Sequence, residues 1–184
     1  MKSQVNVKNN AQVFLAESHL LDGRVVIVRA IRPSDKSLLI DEAEHMSKRS
    51  MYYRYFIPKK QLTTKELVYF TEVDYHRHVC LIALVQEPDG RLVHAGCGRY
   101  IVFEKNDQIA EVAFDVKDEY QGHGVGTILF NFLRQIAQAE GIREFTADVL
   151  VENTHMLEVF DHLGLAVKKK YLSSGVVEVR IELN

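Results

Sequence analysis

The chain has 184 residues, enough for one domain with a proper core. Its 47% hydrophobic and 26% charged residues are ordinary for a soluble globular protein, and a net charge of −2 argues against a general nucleic-acid or polyanion binder. Residues 1–10 carry no apolar core of a secretory signal and no apolar run approaches the length of a membrane span, so a cytoplasmic protein with no membrane partner is expected.

Residues 1–22 are mixed, with a short apolar patch at Val13-Phe14-Leu15, and read as an N-terminal extension that packs on a domain covering 23–184. Arg24 to Ile31 is β-branched and predicts a strand. Pro33-Ser34-Asp35 stops it, with Ser34 as the expected N-cap of a helix running to about Ser47. A short helix follows over Met51 to Phe56, and Thr63-Thr64-Lys65-Glu66 is a capping box that opens a third. Val79 to Gln86 and Leu92 to Phe103 predict strands joined by the turn Glu87-Pro88-Asp89-Gly90. Ile109 to Val116 is the next strand, followed by a helix to about Glu140 that Gly141 ends. Then come a strand at Glu144 to Leu150, a helix from Thr154 to Leu163, and strands at Ala166 to Tyr171 and up to Leu183. This order predicts a mixed α/β (α+β) fold, a twisted six- to seven-stranded sheet with helices on both faces.

The strand ending at Val116 and the helix beginning near Thr127 are joined by Gln121-Gly122-His123-Gly124-Val125-Gly126. A glycine-rich turn that opens a helix is an anion site: its N–H groups are unpaired, the helix dipole favours negative charge, and glycine lets a phosphate come close. A P-loop requires a Lys-Ser or Lys-Thr after the glycines, and none follows here. A dinucleotide fingerprint requires G-x-G-x-x-G early in a βαβ unit, and the spacing and place are both wrong. Gln121-x-x-Gly124-x-Gly126 fits Gln/Arg-x-x-Gly-x-Gly/Ala, the coenzyme signature of the GCN5-related N-acetyltransferases.

The chain resembles that family beyond the loop. Val149-Leu150-Val151-Glu152-Asn153, a helical run to Phe160 and Leu163-Gly164-Leu165 look like its second signature, and Val28 to Asp35 resembles its first strand and the entry into its first helix. Met51-Tyr52-Tyr53-Arg54-Tyr55-Phe56, Glu72-Val73-Asp74-Tyr75 and Ala110-Glu111-Val112-Ala113-Phe114 are similar to the acetyltransferase domain of bacterial Pat-type protein lysine acetyltransferases. The resemblance covers about residues 24–183 and implies an N-acetyltransferase that uses acetyl-CoA and no metal. It implies a protein lysine as acceptor, for example on an acyl-CoA synthetase, in direct transfer within a ternary complex. A small amine such as a polyamine, amino acid or antibiotic is the alternative acceptor, a non-catalytic acyl-CoA sensor is the alternative function, and monomer and homodimer both remain open.

The same resemblance implies the roles of particular residues. The coenzyme diphosphate would lie on the amides of Gln121, Gly122, His123, Gly124, Val125, Gly126 and Thr127, and its pantetheine along Phe114, Asp115 and Val116. Asn153 and Met156 would touch the pantetheine arm, with Asn153 also a helix N-cap. Phe160 stands where many relatives carry a tyrosine that protonates the leaving thiolate; it serves as an apolar wall and gives no proton. Glu111 matches the expected general base. An acid inside an apolar strand is otherwise a carboxylate facing water, and apolar surroundings would raise its pKa toward a useful value. Glu72 and Asp74 are the alternatives to it. His76, His78, His155 and His162 lack a third ligand for a metal site, and Cys80 and Cys97 read as buried, reduced thiols.

Overall fold

The computed structural model describes residues 11–57 and 61–183. Its strands are β1 (Leu15–His19), β2 (Val25–Ala30), β3 (His78–Gln86), β4 (Leu92–Phe103), β5 (Asn106–Val116), β6 (Glu144–Leu150), β7 (Val167–Tyr171) and β8 (Val176–Glu182). Its helices are α1 (Lys36–His45), α2 (Lys48–Tyr55), α3 (Thr64–Thr71), α4 (Val125–Ala139) and α5 (Thr154–Asp161). The strands form one eight-stranded sheet in the order β1-β2-β3-β4-β5-β6-β8-β7. All neighbours are antiparallel except β5 and β6. The mixed fold is the expected one, with one strand more than the six or seven read from sequence. The added strand is β1, which pairs with β2 from Leu15↔Arg29 to His19↔Val25.

Helices cover both faces. In β3, Val79, Leu81 and Ala83 join the main core with the apolar side of α4, whereas Cys80 and Ile82 join a second cluster with Leu39 of α1 and Leu67 of α3. A strand buried on both faces is apolar throughout, as its sequence is. On α4, Val125, Leu129, Phe130, Leu133, Ile136 and Ala137 are buried, the one-sided spacing of an amphipathic helix. Phe130 sits at the hub of the core, 6.2 Å from the ring of Phe114 on β5, 6.0 Å from Phe145 on β6 and 6.5 Å from Phe160 on α5. These aromatic contacts tie β5, β6 and α5 to one helix. On β4, a Cβ at Gly98 would lie 2.8 Å from the Phe114 ring, so only glycine leaves that ring its place.

Local signals set the helix ends, with one correction. Thr63 and Glu66 form the expected reciprocal box, each side chain accepting the other residue's main-chain N–H. Ser34 caps nothing. Pro33–Asp35 is a single 3-10 turn, and the Asp35 carboxylate accepts the Arg32 N–H at 2.7 Å and pairs with Arg29. Carboxylate charge and the Arg29 partner favour Asp35 over the neutral hydroxyl. Helix α2 begins earlier than expected because Ser47 caps it, accepting from the Ser50 N–H. Among the described residues no helix is long and apolar enough to cross a membrane.

Candidate active site

The site begins where β5 and β6 stop pairing. Their only partners are Ile109↔Glu144, Ala110↔Phe145 and Glu111↔Thr146, although β5 continues to Val116 and β6 to Leu150. The direction of each main-chain group follows from two bonds. The Arg143 N–H donates to the Gln108 carbonyl on the β6 side, and the Lys117 N–H donates to the Ala95 carbonyl beyond the start of β4. Groups alternate along a strand, so Val112, Phe114 and Val116 turn their N–H and C=O toward β6. The Glu111↔Thr146 pair takes the Val112 N–H, so the groups that no strand meets are the Val112 carbonyl and the N–H and C=O of Phe114 and Val116. Main-chain groups in that position call for partners. Gln121 supplies one, its Nε2 donating to the Val116 carbonyl at 3.0 Å. The rest of the opening is a slot into which an extended polar chain can pair as a strand would.

A cleft of about 260 Å³ occupies that opening. Val112, Ala113 and Phe114 line one side, Ala147, Asp148 and Val149 the other, and Asn153, Met156 and Phe160 close it from the β6–α5 connection and α5. Glu111 stands at the apex, the last β5 residue paired with β6, and its exposed side chain lines the cleft. The side chain is exposed there because the strands open at that residue. Asn153 caps α5, its Oδ1 accepting from the Met156 N–H at 3.3 Å. Phe160 is 1% exposed and forms a wall of the cleft.

The glycine loop leaves the open end of β5. A 3-10 turn, Asp118–Tyr120, leads into it, and Gly124 at φ +91 starts α4. A side chain at that φ is strained, so the turn into the helix depends on glycine. The N–H groups of Val125, Gly126 and Thr127 lie in the first turn of α4 and have no carbonyl one turn back. They stand as unpaired donors beside the slot.

Asp115 belongs elsewhere, and here the sequence reading is corrected. Its main chain pairs with Cys97 on β4, and its side chain points to the opposite face of the sheet from Phe114, under α2. Strand alternation forbids Phe114 and Asp115 from sharing a face. The Asp115 carboxylate pairs with Arg54 Nε at 2.8 Å and accepts from the Cys97 thiol. Burial pushes its pKa up, but Arg54 and Arg99 outweigh that and hold the carboxyl below its usual value. Glu42, Cys97 and Asp115 place possible ligand atoms within 4.8 Å of one another, yet the two guanidiniums already provide the positive charge that Asp115 needs. Close by, burial lowers His94 to about 4 and holds Glu42 well above the usual carboxylate range. Both shifts favour the uncharged forms across their 3.8 Å contact.

Helix α2 bridges the mouth of the cleft. Arg54 fixes it to β5, Tyr53 donates from its hydroxyl to the Glu152 carbonyl at 3.0 Å, and Ser50 donates to Asp118 before the glycine loop at 2.6 Å. Glu72 and Asp74 are not in the cleft: Glu72 pairs with Lys36, and Asp74 accepts the N–H groups of His76, Arg77 and His78.

The acetyltransferase (GNAT) family model matches residues 40–165, a stretch that holds the slot, the apex and the loop. The chain belongs to this family. Members of this family use acetyl-CoA, and this chain is an N-acetyltransferase. It is 30% identical over 159 residues to acetyltransferase Pat of Mycolicibacterium smegmatis, covering 86% of this chain and 46% of that protein. It is 28% identical over 162 residues to acetyltransferase PA5475 of Pseudomonas aeruginosa, covering 88% of this chain and 86% of that one. The chain thus spans just under half the length of the first relative and most of the second. The GNAT domain of S. lividans PAT superposes with a TM-score of 0.81 at 32% identity, covering 91% of this chain and 96% of that domain.

Within this GNAT site, sequence reasoning missed Asp148 and Arg54. Asp148 is two residues beyond the last pairing of β6, on the same face as Glu111, and lines the same cleft. Alternation from Glu111↔Thr146 would have found it had the point of divergence been known. Arg54 lay in the Pat-like aromatic run, but its partner is 61 residues away.

Proposed function

We propose that this GNAT enzyme transfers acetyl from acetyl-CoA to a lysine of a protein by direct attack in a ternary complex, with Glu111 as general base. The observation that carries this is the apex of the strand divergence: a carboxylate stands next to main-chain donors that no strand uses. The first turn of α4 and the glycine loop bind the diphosphate. The free groups of β5 hold the pantetheine in extended form. Phe114 offers its N–H to the thioester oxygen as it gains negative charge. The acceptor amine, with a pKa near 10.4, arrives protonated. Glu111 takes that proton directly or through a water. The nitrogen then attacks the carbonyl carbon, a C–N bond forms and the C–S bond breaks. The thiolate recovers a proton from water or from the amine's own, since Phe160 has none to give. A thiol of pKa about 8.5 makes that step undemanding.

The stretches similar to bacterial Pat-type protein lysine acetyltransferases support a protein lysine as acceptor. Asp148 beside Glu111 favours a second reading, in which the two carboxylates receive a small polyamine. One experiment separates them: intact mass of a purified acyl-CoA synthetase after incubation with acetyl-CoA and this protein, wild type beside Glu111→Gln, with spermidine as a parallel acceptor. One added acetyl with wild type alone supports the lysine reading and the base. Equal modification by both proteins removes Glu111 from that role. Acetylated spermidine with an unmodified synthetase supports the small-amine reading.

A further inference from the structure

The β1–β2 hairpin lies outside residues 40–165, the stretch the family model matches, yet its tip touches the glycine loop. The Leu21 N–H donates to the His123 carbonyl at 3.1 Å, and Asp22 Oδ2 is 3.2 Å from His123 Nδ1. The Leu21 side chain is the nearest group to the space a Cβ on Gly124 would take, at 3.4 Å. Asp22 is itself held. Arg24 donates to it through Nε at 3.0 Å, Nη2 at 2.8 Å and its main-chain N–H at 3.1 Å. The same guanidinium bonds Glu87 in the β3–β4 turn at 3.1 Å and lies 5.4 Å from the Tyr120 ring centroid, and Tyr120 bonds Glu87 at 2.7 Å. One network therefore joins the hairpin tip, the β3–β4 turn and the 3-10 turn that enters the loop.

We infer that the β1–β2 hairpin is a positioning element of the coenzyme site: through Leu21 and Asp22 it holds His123–Gly124 in the conformation that receives the diphosphate, and so sets coenzyme affinity. This rests on the glycine loop being the diphosphate cradle. The physical reason is the cost of order. Gly122 and Gly124 both sit at positive φ, and a loop with two such glycines has wide freedom to lose when it closes on a ligand. Two contacts at the residue between them remove that freedom before the ligand arrives. Asp22 also engages Nδ1 of His123, leaving Nε2 as the ring's remaining polar atom for a phosphate oxygen. Asp22 is a positioning residue, acting through His123.

The test is titration of the full chain with CoA and with pantetheine, which lacks the diphosphate, for wild type, Asp22→Ala and Asp22→Asn. Asp22→Asn keeps an acceptor for the Arg24 main-chain N–H and so keeps the turn, while removing the charge that faces both His123 and the Arg24 guanidinium. Both variants should weaken CoA about fivefold, with pantetheine as the control for the Arg24 bonds that are lost as well. Pantetheine affinity should not move. Unchanged CoA affinity in both variants overturns the inference, and so does equal weakening of CoA and pantetheine, which would mean general damage. If wild type fails to bind CoA, the coenzyme site itself is refuted and this inference with it. If wild type binds and the variants match it, only the hairpin's role falls.

Discussion

Replacing Arg54 with Met should destabilise the fold by about 3 kcal/mol, the lower end of the cost of leaving a buried charge without its partner. The side chains of Arg54 and Asp115 are only 15% and 7% exposed, and their 2.8 Å contact is short enough for a charge-assisted bond. Removing Arg54 strands a carboxylate whose ionised form now depends on it. The loss stays near the lower limit because Arg99 and the Cys97 thiol still face Asp115. Asp115→Leu alone should cost a similar amount, leaving a buried guanidinium unpaired. The double variant Arg54→Met/Asp115→Leu should recover most of the loss, since neither charge of the pair remains to be solvated, and the remainder reflects Arg99 losing the Asp115 carboxylate. The assay is urea denaturation at pH 7 of all four proteins, read as a double-mutant cycle. The expected coupling is about 3 kcal/mol or more. Single losses below about 1 kcal/mol that simply add would refute the reasoning and show that α2 is fixed by its other contacts. Activity should track the singles, because α2 carries Tyr53 and Phe56 to the mouth of the cleft.

Other outcomes follow from the same geometry. Gly124→Ala should cost about 1–2 kcal/mol of stability through its positive φ and weaken CoA binding, measured by denaturation and calorimetry. Burial lowers His78 to about 4 with help from Arg99, below the 6.5 of the unfolded chain, so the unfolded state binds more protons between these values and stability falls as pH drops through that window. His78→Gln should remove that slope: between pH 7 and 5 wild type should lose about 1 kcal/mol more than the variant, after allowance for the ring's partial exposure. Tyr53→Phe deletes the bond to the Glu152 carbonyl across the cleft and should speed CoA release about threefold in stopped-flow chase, with stability within about 0.5 kcal/mol of wild type.

What was legible in the sequence was what short-range chemistry writes there. The Thr63–Glu66 box, the Gly141 stop, the turn at Pro88-Asp89-Gly90 and the glycine loop each depend on a few adjacent residues, and each lies where expected. Strand β1 was not legible, because Leu15-Ala16-Glu17-Ser18-His19 has only one buried residue and gains its conformation from β2. The choice of Asp35 over Ser34 was set by Arg29, four residues before the turn, through a contact that sequence order does not display. Asp115 was misplaced because it was read as part of a run when strand alternation sends it away from Phe114. Glu111 was singled out for its chemistry, but its exposure is decided by where β5 and β6 part, a long-range event tied to the pairing of β6 with β8 and to Phe130 behind both strands. Asp148 became visible for the same reason.

The central claim is that acetyl-CoA binds in the opening between β5 and β6, with its diphosphate on the first turn of α4. Residue-level amide hydrogen exchange by NMR, with and without CoA, tests it directly. The amides of Phe114, Val125, Gly126 and Thr127 should slow on binding, whereas Ala113, already facing β4, and Val112, already paired with β6, should not change. Binding that leaves Phe114 unprotected would contradict the account.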